Sequence, residues 1–130
     1  MASRDSATRF ERGVADFNAG RFFEAHEVWE ELWLAAVEPE KTYLQGLIQV
    51  AAAFHHFARG NSRGAQSLLA AGIAKLTGCP GNFRGVAIVG LRNEVKLWIE
   101  ALRAQGESEL QKLPKIRAAN EGGEKRKRGG

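Results

Sequence analysis

The chain has 130 residues, 44% of them hydrophobic and 26% charged, proportions that suit one compact soluble domain. Its net charge of +4 lies entirely in the C-terminal stretch from Lys115, which holds six basic and two acidic residues, so residues 1–114 balance at 13 and 13. No run approaches the roughly 20 apolar residues of a membrane span, no apolar leader opens the chain, and the single Cys79 allows neither a disulfide nor a zinc cluster; the expected location is cytoplasmic.

In chain order, residues 1–7 are polar and expected to be frayed, and a helical body is expected over 8–106. Phe10, Val14 and Phe17 mark a first helix from about Ser6 to Asn18, closed by Asn18-Ala19-Gly20 as a C-cap. The second helix, about Phe22 to Val37, follows at once, so the two must pack as an antiparallel hairpin. Its core row is Phe22, Ala25, Trp29, Leu32 and Trp33, continued by Ala36, whereas Glu24, Glu27 and Glu31 fall on an outer face. His26 and Glu30 lie between these faces, one turn apart.

The third helix starts near Pro39 or Glu40 and is apolar over most of its circumference through Ala58, which predicts a central position. Gly46 and the alanines at 51–53 leave room for a close neighbour. Arg59-Gly60-Asn61 ends it, and the fourth helix spans about Ser62 to Leu76. Gly20 and Ala25 recur as Gly60 and Ala65, a spacing of 40 residues. With Gly13 and Trp29 they resemble the turn of a tetratricopeptide-type hairpin, in a two-copy arrangement too short for a solenoid.

The glycine-rich loop from Thr77 to Gly85 lacks a phosphate-loop ending and is read as a connection, with Phe83 plugging it onto the body and Cys79 as a buried filler. A fifth helix, about Val86 to Gln105, places Ile88, Leu91, Val95, Trp98, Ile99 and Leu102 inward. Residues 107–130 are expected to form a flexible basic tail, Gly106 to Pro114 adding at most a short turn. No segment alternates with period two, so no sheet is expected. The fold class is all-α: a bundle of about five helices made of two hairpins and a C-terminal helix.

The residues Phe17-Asn18-x-Gly20-x-Phe22-Phe23-Glu24-x-His26-Glu27-x-x-Glu30-x-x-Trp33, then Leu44-Gln45-Gly46-Leu47-Ile48-Gln49, His55, Gly60-Asn61 and Gly64-Ala65 resemble a known family, the domain of unknown function numbered 309. The resemblance covers roughly residues 9 to 100 and implies a small helical bundle with a shared polar site. It carries no established reaction, and the basic tail lies outside it.

Helices two and three are expected to be neighbours, which would let His26 and Glu30 converge with His55. Two histidines and a carboxylate suit a divalent metal, with Glu27 as a further ligand or a base for bound water. The Glu-x-x-His pair of di-iron bundles is absent, and Glu30 stands where a zincin motif needs a second histidine. The plainer reading is a buried hydrogen-bonded network of His26, Glu30 and His55 tying the helices together, with Trp29 and Trp33 in the core and His56 at the surface. The leading functional expectation is a non-catalytic binding module that uses Glu24, Glu27 and Trp33 toward a ligand. A protein or peptide partner would sit on the acidic strip of helix two, and the tail would add a weak nucleic-acid contact or fold back on that strip. The alternative is a metal-dependent hydrolase with His26, Glu30 and His55 as ligands.

Overall fold

A computed structural model describes residues 2–104 and 113–119. Five helices follow one another, α1 (Ala2–Asn18), α2 (Phe22–Ala35), α3 (Glu40–Ala58), α4 (Ser62–Leu76) and α5 (Ile88–Arg103), with two short strands, β1 (Asn82–Phe83) and β2 (Val86–Ala87), before the last. The expected all-α bundle is what forms. Among the described residues no helix is long and apolar enough to cross a membrane.

The two hairpins are built alike. Gly20 and Gly60 both adopt the left-handed conformation, at φ 83° and 86°, which a side-chain Cβ would oppose. In the first turn the amides of Gly20 and Arg21 donate to the carbonyls of Phe17 and Asp16; in the second, those of Gly60 and Asn61 donate to Phe57 and His56. These are matching Schellman closures. Asn61 then caps α4 by accepting from the Gly64 amide at 2.9 Å.

Close approaches set the packing between helices. A Cβ on Gly13 would overlap the Trp29 indole, so α1 can lie directly on α2 only with glycine there. Trp29 is fully buried and donates from Nε1 to the Phe10 carbonyl at 3.2 Å. A Cβ on Gly72 would stand 2.9 Å from the Gly46 carbonyl oxygen, so α3 and α4 meet backbone to backbone. The central position expected for α3 follows: Leu44, Leu47, Val50, Ala51 and Ala53 have no exposed surface. Phe54 stacks edge-on with Trp98 of α5 at 5.0 Å.

Four expectations are corrected. Helix α1 begins at Ala2 rather than near Ser6, with Asp5 in its first turn, where a carboxylate suits the positive end of the helix dipole. Helix α2 stops at Ala35 rather than Val37 because Ala36 turns to an extended conformation, φ −80° and ψ 157°. Helix α5 begins at Ile88 because Val86 and Ala87 are taken by a strand that pairs with Asn82 and Phe83. The two-residue turn between those strands, Arg84 and Gly85, has φ 52° and 83°, the primed geometry a tight hairpin requires.

The fourth correction concerns the tail. Pro114 and Ile116 are buried, and Ala118 bridges to Val86 in antiparallel fashion. Asn18 holds the strap by a reciprocal pair, its side-chain amide donating to the Ile116 carbonyl at 2.9 Å and its Oδ1 accepting from the Ile116 amide at 2.8 Å. Residues 113–119 therefore belong to the body. The basic run Lys125–Arg128 lies outside the described residues, as does most of the turn expected over 106–114.

Candidate functional site at the α2–α3 seam

Because the turn between α2 and α3 is short, the start of α2 faces the end of α3. Phe23 marks that register: its ring lies 5.3 Å from His55 and is stacked on His26 at 5.8 Å and 29°. One turn further, His26 Nε2 stands 3.5 Å from Glu30 Oε2, with side chains 25% and 53% exposed. Such a half-exposed pair is worth about 0.5 kcal/mol or less, so it orients the imidazole more than it stabilises the fold.

The expected convergence is therefore only half present. His26 and Glu30 meet, but His55 meets Phe23, and the three do not form a buried network: among the described residues no polar or charged side chain is fully buried. Nor is any group of three His, Cys, Asp or Glu placed to hold a metal ion among the described residues. Phe23 is the cause. It is 45% exposed and touches both imidazoles, a position that sequence periodicity leaves on the outer side of the helix.

Trp33 differs from Trp29 in environment. It is only partly buried, and Lys41 lies across it, with Nζ 3.9 Å from the ring centroid while donating to the Trp33 carbonyl at 2.7 Å. One ammonium thus satisfies a carbonyl at the α2 C-terminus and makes a cation–π contact worth about 0.5–1 kcal/mol. Glu24 and Glu27 are exposed beside the seam, as is Glu31 on the far side of α2. His56 is half-buried, its Nδ1 3.3 Å from the Asn61 amide.

Among the described residues of α2 and α3, three side-chain atoms are shut off from solvent and have no protein hydrogen-bond partner: His26 Nδ1, Trp33 Nε1 and Gln49 Oε1. Gln49 did not figure among the expected site residues. Its only sequence signal is a glutamine on a mostly apolar helix.

A second concavity, on the α1 side of α2, was not foreseen at all. It encloses about 400 Å³ between α1, the end of α2 and the Arg84 turn, with Asp5, Arg9, Glu31, Glu40 and Arg84 around it and Leu32, Ala36 and Val37 beneath. Arg84 forks onto Glu40, Nε and Nη2 donating at 3.2 and 3.1 Å, and lies over the Phe10 ring at 5.3 Å. Its left-handed backbone costs on the order of 1 kcal/mol, offset by this clamp. No local motif announces the groove, because its walls come from four separate segments.

Cys79 has the role expected of it. It is 4% exposed, and burial pushes its thiol up from 9.0 to about 11, against an opposing pull from Arg92. Arg92 Nη1 also donates to the carbonyls of Leu76 and Cys79, at 2.8 and 2.9 Å, closing the end of α4.

The sequence profile of the domain of unknown function DUF309 matches residues 10–68, the segment from α1 into α4. An uncharacterized protein of Aquifex aeolicus (strain VF5) is 31% identical over 102 residues, 78% of this chain and 29% of that protein. The uncharacterized protein YpuF of Bacillus subtilis (strain 168) is 41% identical over 59 residues, 44% of this chain and 34% of its own. The chain thus spans about a third of the length of either relative. Among solved structures, the conserved hypothetical protein TTHA0068 from Thermus thermophilus superimposes with a TM-score of 0.62 at 34% identity, covering 70% of this chain and 95% of that one. Matching hairpin turns, the His26-Glu27-x-x-Glu30 helix and these similarities lead to one conclusion: the chain belongs to the family described as domain of unknown function 309.

Proposed function

We propose that this protein is a non-catalytic cytoplasmic binding module whose seam between α2 and α3 accepts an extended peptide segment carrying a basic side chain. The observation that supports this is the set of occluded, unpartnered atoms on the two helices, His26 Nδ1, Trp33 Nε1 and Gln49 Oε1. Buried polar groups in native proteins are almost always bonded, and each one left without a partner costs about 1–3 kcal/mol. Once neighbouring side chains move aside, the three groups form a demand that a peptide backbone, with its own N–H and C=O groups, can meet. The chemistry is matched: the indole N–H only donates, the amide oxygen only accepts, and the imidazole nitrogen does either according to tautomer.

The surroundings supply the rest. Phe23, 45% exposed, offers an apolar anchor at one end. Glu24, Glu27 and Glu30 offer carboxylates to a lysine or arginine. The test is fluorescence anisotropy with short labelled peptides, extended and lysine-containing against neutral counterparts. Trp33→Phe and Gln49→Leu are expected to weaken binding of the basic set at least tenfold. Binding that is unchanged in both variants would sink the proposal. The competing reading, a metal-dependent hydrolase with His26, Glu30 and His55 as ligands, is tested by metal analysis of untagged protein. Stoichiometric metal that disappears in both His26→Ala and His55→Ala would replace the first reading by the second.

A further inference from the structure

The groove on the α1 side of α2 is a separate surface from the seam, and the described strap ends beside the Arg84 turn that lines it. Ala87 donates its amide to the Arg117 carbonyl at 2.7 Å, and Ala119 donates to the Gly85 carbonyl at 3.0 Å. The described strap therefore ends against the neighbour of Arg84, which lines the groove. After Ala119 this chain continues for 11 residues, Asn120 to Gly130, with four consecutive cations at Lys125, Arg126, Lys127 and Arg128. The five residues between span up to about 18 Å when extended. A groove whose rim adjoins the exit point is within that reach.

The carboxylates of the groove differ in how firmly they are held. Glu40 is taken by the two-pronged contact from Arg84. Glu31 is 3.7 Å from Arg9, with both side chains about half exposed at 58% and 50%. Asp5 is exposed. Asp5 and Glu31 are thus the acids open to an incoming cation, and Leu32, Ala36 and Val37 give its aliphatic stem an apolar floor. Beyond the groove, Arg21 to Lys41 contains six glutamates and no other lysine or arginine between those two residues, so the long-range field along α2 also favours a cation. Anchoring by Asn18 keeps the basic run close, at an effective concentration in the millimolar range for a short tether. A contact too weak to capture a free peptide then becomes populated within one molecule.

We propose that the groove bounded by Asp5, Glu31 and Arg84 is the docking site of this chain's own basic segment, Lys125 to Arg128. The test uses the full chain, as wild type and with Lys125→Gln, Arg126→Gln, Lys127→Gln and Arg128→Gln combined. Backbone amide spectra are expected to differ at Ala35, Ala36, Val37 and Arg84. The wild-type spectrum should move toward that of the variant as ionic strength rises to about 1 M, where the Debye length is about 3 Å. Carbodiimide coupling at low salt should join Lys125 or Lys127 to Asp5 or Glu31 within one chain. The proposal is overturned if the groove amides superimpose in the two proteins. It is equally overturned if the lysines couple only to Glu24, Glu27 or Glu30, or if the tail responds to added duplex DNA while the groove stays unchanged.

Discussion

Replacing Gln49 by leucine tests the physical basis of the seam without touching any ionisable group. Gln49 is half-buried on α3, and its Oε1 is occluded with no protein partner. Leaving a desolvated acceptor unmet costs about 1–3 kcal/mol. Leucine has similar volume and equal helix propensity, and it loses less rotamer freedom on burial, by up to about 1 kcal/mol. Against this, leucine exposes a little apolar surface, a loss of a few tenths of a kcal/mol at about 25 cal/mol per Å². The net expectation is a protein more stable by about 1–2 kcal/mol, with a melting temperature higher by roughly 5–10 °C. Guanidinium unfolding followed by far-UV circular dichroism measures it, with the m-value as a check that the denatured state is unchanged. A midpoint that falls at constant m would mean the carbonyl is already satisfied in the folded protein, and the argument for an unmet demand would fail. A midpoint that rises while peptide binding disappears is the stability–function trade-off expected of a binding site.

The other predictions concern the frame. Gly13→Ala should destabilise the fold by roughly 2 kcal/mol or more, because the new methyl overlaps the fully buried Trp29; chemical denaturation measures the loss. Gly72→Ala brings a methyl to 2.9 Å from the Gly46 carbonyl oxygen, so α3 and α4 must part. The overpacking cost of about 1–3 kcal/mol exceeds the gain of about 0.5–1 from replacing a helical glycine, and the melting temperature should fall. Asn18→Ala removes both bonds to Ile116, and hydrogen exchange at the Ile116 amide should accelerate by about tenfold or more. Cys79 has a folded pKa of about 11 against 9.0, so its contribution is complete below pH 9 and is lost as pH rises toward 11. Wild type should therefore lose up to about 2 kcal/mol more than Cys79→Ala over that window, as seen in paired denaturation curves.

The helices were legible because each one buries a single continuous stripe, and stripes at three- and four-residue steps survive in sequence. The paired turns at Gly20 and Gly60 were legible because left-handed backbone restricts residue choice. Elements too short to show a period were not. Strands of two residues cannot alternate, and the strap offers only Pro114 and Ile116 as buried apolar positions in a charged stretch. The site was half legible for a related reason. Helical spacing shows that His26 and Glu30 share an edge and that His55 can approach it. It does not show which side chain enters the gap, and Phe23 does so. Gln49 was invisible because an unmet hydrogen bond is a relation between two helices, absent from either helix alone.

Helix α2 explains why two unlike surfaces occupy one small bundle. Its buried row, Phe22, Ala25, Trp29 and Leu32, leaves two stripes beside it. His26, Glu30 and Trp33 run along the α3 side, and Glu31 and Ala35 along the α1 side. The rotation of the helix about its axis decides what each stripe presents, and Trp29 holds that rotation by its bond to the Phe10 carbonyl and by the clearance at Gly13. A rotation of one residue, about 100°, would carry His26 into the core and Ala25 outward. The aromatic packing of Trp29 with Phe10 and Phe17, at 6.0 and 6.1 Å, opposes any such shift. Gly13 touches neither surface, yet a substitution there should disturb peptide binding at the seam and cation docking in the groove together. Changes at Gln49 or Glu31 should each affect only one.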